Sequence, residues 1–164
     1  MSREGKIGLF IMLLIVGAII GSTNLLAPVH EFGHYITAVH NGGDAKIVAW
    51  NRTSPTPSLT QALAGYWMEL LVFCLLGQFV AAIGYKKGWW WVSGFCFGYS
   101  LITMFMAPQS YDFNTYVEKF AEYVRTPGAI EAYKKAVLNR WILLCTAMLV
   151  VNVPIIYFRY LKRK

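Results

Sequence analysis

Four apolar stretches, residues 7–27, 59–85, 89–107 and 137–157, constrain this 164-residue chain more than any other feature. Each is long enough to cross a hydrocarbon layer as a helix, which takes about 20 apolar residues. With 57% hydrophobic and 14% charged positions, the chain departs from the near-even apolar share and quarter-charged surface of ordinary soluble domains. The expectation is an all-α integral membrane protein, multi-pass, filling a single domain over residues 1–164. The first stretch follows Arg3 and Lys6 as a signal peptide would, but it is longer than an ordinary h-region and no A-x-A site follows it. Cys74, Cys96 and Cys145 all fall inside apolar stretches and read as packing residues.

A formal charge of +7 invites a nucleic-acid partner, yet topology accounts for it better. If the four spans alternate in direction, one side carries Arg3, Lys6, Lys86, Lys87, Arg159, Lys162, Arg163 and Lys164 against Glu4 alone. The other side carries Lys46, Arg52, Lys119, Arg125, Lys134, Lys135 and Arg140 against six acidic residues. The asymmetry places both termini in the cytoplasm by the positive-inside rule. The partners expected are the lipid bilayer and a membrane protein, not nucleic acid.

Between the spans the chain is punctuated. Asn41-Gly42-Gly43 stops a helix. The segment "AKIVAW" after it favours a strand or short hairpin, and the Pro-containing residues 54–58 make an extended connection. Asn51-Arg52-Thr53 fits the glycosylation pattern, which by itself carries no role. Lys86-Lys87-Gly88 is a tight turn that makes spans two and three antiparallel neighbours. Trp89, Trp90 and Trp91 suit the headgroup level. Val117, Phe120, Ala121 and Val124 recur at helical spacing among charges, which predicts an interfacial amphipathic helix from Thr115 with a Thr115–Glu118 capping box. It should break at Thr126-Pro127-Gly128 and resume near Ala129. The interfacial segment is thus bounded at residues 114–136 and the last span at 137–158.

His30-Glu31-Phe32-Gly33-His34 is an H-E-x-x-H motif. Residues four apart lie on one helix face, so both imidazoles can meet one zinc ion while Glu31 reaches water beside it. Bound zinc lowers the pKa of water from near 16 to about 7, and a neighbouring glutamate can take the proton and pass it to a leaving amine. The motif has only three fixed letters. Its weight comes from a chain with three histidines in all, two of them at ligand spacing where ionisable groups are costly. Catalytic zinc usually takes a third protein ligand. On a continuing helix His40 would lie about 15 Å beyond His30 and face elsewhere, so it caps the helix end. Glu118 and Glu122 suit the solvated face of the amphipathic helix. Asp112, in "MAPQSYDFN" at the end of span three, falls on the same membrane side as the motif and is the best third ligand.

"HEFGHYITAVHNGG", "ALAGYWME" (residues 62–69) and Asp112 together resemble the site-2 proteases, a family of intramembrane zinc metalloproteases. The resemblance covers the first three spans, about two thirds of the chain. It implies a three-helix protease-like core over residues 7–113, zinc held by His30, His34 and Asp112, and Glu31 as the catalytic carboxylate. The "ALAGYWME" stretch is similar to the family's A-G-P-x-x-N, which implies substrate-binding roles for Gly65 and for Glu69, the latter standing where asparagine is expected. Phe113 follows Asp112 where the family has glycine. Glu69 is open to three other readings: a buried proton carrier, a reserve ligand, or a polar group packing helices. The implied reaction is hydrolysis of a peptide bond in a membrane-spanning or membrane-associated substrate, with Ile47 and Val48 pairing with it as an added strand. The altered "DFN" and "AGYWME" stretches and the short chain favour an alternative, a catalytically inactive scaffold or assembly subunit. The helix carrying His30 either runs unbroken over residues 7–40 or breaks between Gly21 and Pro28.

Overall fold

The computed structural model describes residues 2–42, 46–49, 52–53, 63–84, 89–124 and 126–157. Helix α1 (Arg3–Gly21) begins where the Ser2 Oγ accepts from the Gly5 N–H at 3.1 Å. It ends at Ser22 and Thr23, whose hydroxyls donate to the Ile19 and Ile20 carbonyls at 2.7 Å. A 3₁₀ turn (Asn24–Leu26) then leads into α2 (Ala27–His40), with Pro28 in its first turn, where a missing N–H costs nothing. The chain therefore takes the broken course, not the continuous one. Asn41 and Gly42, the latter at φ 76°, close α2 as the sequence anticipates.

Helix α3 (Ala64–Glu69), a π-helical segment (Leu70–Leu76) and α4 (Gly77–Ile83) follow one another without a break. Then come α5 (Trp91–Met106), a 3₁₀ turn (Ala107–Gln109), α6 (Tyr111–Val124) and α7 (Pro127–Ile156). Within "AKIVAW", β1 (Ile47–Ala49) pairs antiparallel with β2 (Arg52–Thr53), Ile47 opposite Thr53 and Ala49 opposite Arg52. A ladder this short adds no layer, and the architecture is helical. Asn51, residues 54–58 and the Lys86-Lys87-Gly88 turn lie outside the described residues.

Four helical stretches are long and apolar enough to cross a membrane: Glu4–Gly21, Ala64–Ile83, Trp91–Glu122 and Gly128–Ile156. Their outward faces are apolar, with Ile19, Phe79, Ile83 and Leu143 each more than half exposed. A water-soluble surface rarely shows apolar side chains so continuously.

The helices pack through small residues. On α5, a Cβ at Gly94 would press on Phe10 and one at Gly98 would overlap the Leu14 carbonyl; on α1, Gly17 meets Phe95 and Gly21 meets Ile102. Both helices thus carry a Gly-x-x-x-Gly pair at their crossing, a pattern that lets backbones approach when lipid offers no hydrophobic drive. Contacts that rise together along both chains make α1 and α5 parallel. Helix α4 runs the other way, Gly77 against Cys96 and Gly84 against Trp89. So does α7, whose Trp141 Nε1 donates to the Met104 carbonyl at 3.1 Å and whose Asn152 donates to Cys74 Sγ at 3.0 Å. The cysteines are free, Cys74 and Cys96 buried and Cys145 partly so.

One expectation is corrected. The amphipathic helix begins at Tyr111, four residues before Thr115, so Thr115 and Glu118 form no cap. Ser110 leaves the helical path at ψ 156°, and its Oγ accepts from the Phe113 N–H at 3.1 Å. Nor does α6 simply lie at an interface: Phe113 and Val117 are buried in a cluster with Leu63, Leu70, Ala107 and Trp141. Helix α7 starts at Pro127 and continues through residues 136 and 137 without interruption.

Candidate metal centre

Four elements converge at the end of the bundle where α1 stops. His30 and His34 project from α2 one turn apart and are buried. Helix α2 crosses α3 closely because Gly33 has no side chain; a Cβ there would overlap the Ala64 carbonyl. Gly65 leaves space for the His30 ring, which any Cβ at that position would strike. Tyr66 packs edge-on against His30 with centroids 4.4 Å apart, and Tyr116 stacks on His34 at 5.8 Å. Asp112 enters from the first turn of α6, where unpaired N–H groups favour a carboxylate. Phe113, found where the resemblance would place glycine, anchors that turn in the core.

The three expected ligands meet. His30 Nε2 lies 2.9 Å from Asp112 Oδ2 and 3.2 Å from His34 Nε2, and His34 Nε2 lies 3.6 Å from Asp112 Oδ2. Tetrahedral zinc with bonds of about 2.0–2.1 Å holds its ligand atoms about 3.3 Å apart, so these separations suit the edges of one tetrahedron. His30, His34 and Asp112 are the group of metal-ligating side chains that stands out among the described residues. His40 is exposed at the far end of α2, and Glu118 and Glu122 are exposed on α6.

A cavity of about 260 Å³ opens beside the cluster, walled by Gly21, Ser22, Thr23 and Ala27 on one side and by Tyr66, Tyr99, Met106 and Tyr111 on the other. Glu31, Glu69 and Asp112 line it with His30 and Thr103, and among the described residues no lysine or arginine does. Concentrated carboxylate charge away from bulk water calls for a cation. His30, on α2 outside the four candidate spans, already answers to that field. Burial works against its charged form, but hydrogen bonds to Asp112 and Glu69, with the charge of both, outweigh it and push its pKa up to about 9. The donor set of two imidazoles and a carboxylate suits zinc by its chemistry.

Of the residues expected to bind substrate, Gly65 and Glu69 both lie against His30, Glu69 Oε1 at 2.9 Å from Nδ1. Ile47 and Val48 lie on β1. Sequence reading missed Thr103, whose hydroxyl donates to Glu69 Oε2 at 2.9 Å, and the Ser110 cap under Asp112. The available signal for Thr103 was a polar residue late in an apolar span that also holds Ser93 and Ser100. Comparison with family models, curated proteins and solved structures finds no match.

Proposed function

We propose that this chain is a multi-pass integral membrane zinc metalloprotease that cleaves membrane-spanning or membrane-associated polypeptides. The observation that carries the reading is the convergence of His30 Nε2, His34 Nε2 and Asp112 Oδ2 at tetrahedral-edge distances beside a cavity that Glu31 also lines. A zinc ion there supplies a Lewis acid for a peptide carbonyl and acidifies water. His30 and His34 present Nε2 from one face of α2, and Asp112 completes the set from α6. Glu31, next to a ligand and half-buried at the cavity, takes the proton from the attacking water and returns it to the leaving nitrogen. Residues of α1, α2, α3, α5 and α6 line the cavity in which the substrate would meet these groups. A helical substrate must unwind locally first, because its carbonyls are otherwise engaged in internal hydrogen bonds.

The side holding Lys86, Lys87 and the basic residues after 158 faces the cytoplasm in this reading, which puts the metal centre at the opposite ends of the spans. Purified native chain should carry one zinc per molecule and cut a model transmembrane substrate. Glu31→Gln should retain the zinc and lose roughly 10²–10⁴-fold in cleavage rate, the usual worth of a positioned proton carrier. Zinc without Glu31-dependent cleavage would make the chain a protease-like scaffold or assembly subunit instead. Absence of zinc would remove both the cofactor and the reaction.

A further inference from the structure

We infer that Glu69 is a positioning residue for the metal centre, fixing the His30 tautomer that leaves Nε2 as the electron-pair donor. The inference rests on the zinc reading above and adds a role that the H-E-x-x-H motif does not itself supply. A neutral imidazole can offer one nitrogen to a metal only when its proton sits on the other. His30 Nδ1 lies 2.9 Å from Glu69 Oε1, a carboxylate oxygen placed to accept from it. With Nε2 turned to the metal beside His34 and Asp112, the proton on Nδ1 has Glu69 Oε1 as its acceptor. A carboxylate behind a metal-bound histidine also raises the basicity of that ligand.

Glu69 is itself held. Its Oε2 accepts from Thr103 Oγ1 of α5 at 2.9 Å, so both carboxylate oxygens have assigned partners on different helices. The ring it orients is confined as well, by Tyr66 on its edge and by Gly65 against its side. Thr103, Glu69 and His30 thus form a relay of fixed orientation across α5, α3 and α2. A glutamate that merely packed helices would need burial and some partner; it would not need one oxygen directed at the distal nitrogen of a ligand and the other pinned from behind.

The test uses detergent-purified full chain and zinc alone, in competition with a chromophoric chelator. Glu69→Leu should weaken zinc binding by roughly 10- to 100-fold, as loss of a carboxylate behind a ligating histidine typically does. Glu69→Gln keeps an acceptor for Nδ1 but loses the charge, so it should fall between native and Leu. Thr103→Val, nearly isosteric, releases Oε2 and should weaken binding less than Glu69→Leu. Cobalt(II) spectra should shift in step, and in the zinc-loaded chains the ¹⁵N resonances of His30 should show Nε2 bound and Nδ1 protonated, with the Nδ1–H resonance displaced in Glu69→Leu. If Glu69→Leu does not fold, the Gln and Val variants decide through the same readouts. Native-like affinity and cobalt spectra in the variants, while His30→Ala still abolishes binding, would overturn the role of Glu69 alone. Failure of the native chain to bind zinc, or binding unaffected by His30→Ala, would remove the metal reading beneath it.

Discussion

At Gly65, backbone lies where a methyl group would run into the His30 imidazole. Alanine is the better helix former by about 1 kcal/mol, so Gly65→Ala ought to strengthen α3 if helix formation were all that mattered. Steric displacement of a ligand acts in the opposite sense. Gly65→Ala should therefore lower zinc affinity by at least roughly tenfold, since metal–ligand distances hold to within about 0.2 Å and a Cβ would strike the His30 ring, while helical circular dichroism is unchanged. Chelator competition and dichroism on the same sample check the two halves. The sequence marked Gly65 only as a substrate-facing position; its actual neighbour is a histidine 35 residues earlier, a contact no local spacing reveals.

At the scale of one element, α6 brings the candidate metal centre its proposed third ligand and depends on its first turn to do so. Ser110 caps that turn and Phe113 pins it in the core, with Asp112 between them. Replacing an N-cap serine with alanine typically costs about 1 kcal/mol. Ser110→Ala should loosen the placement of Asp112 and weaken zinc binding severalfold, and Ser110→Asp, which can still cap, should restore most of it. Equal affinity in all three chains would show that Phe113 alone sets the turn. The amphipathic periodicity of α6 was legible in residues 117–124, but its start was not. Thr115 and Glu118 match a capping pattern that the helix overruns, because Ser110 offers an earlier cap and burial of Phe113 draws the preceding turn into the helix.

Over the whole molecule, the direction of each span follows from what it touches. Helices α1 and α5 run in parallel through facing glycines, and α4 and α7 run against them. The start of α1 and the end of α7 therefore share one side, with Phe10 and Ile156 in a common cluster, and the His30–His34–Asp112 group lies at the other. Single-cysteine variants at Ser2 and Asn41, both exposed, should react with an impermeant maleimide from opposite faces of sealed vesicles. Labelling of both from the same face would contradict the alternating arrangement.

The four apolar helices, the stop at Asn41-Gly42 and the pairing of His30 with His34 were all within reach of the sequence, because each rests on chain geometry over a few turns. Asp112 could be preferred because it ends span three on the motif's side of the membrane while Glu118 and Glu122 suit a solvated helix face, yet which carboxylate meets the histidines was decided by tertiary structure. Seventy-eight residues separate His34 from Asp112, and they meet because small residues let particular helices close on one another. Glu69 is the clearest case. Its identity was visible, its three possible roles were not separable, and its partners His30 and Thr103 come from two other helices whose crossings no periodicity encodes.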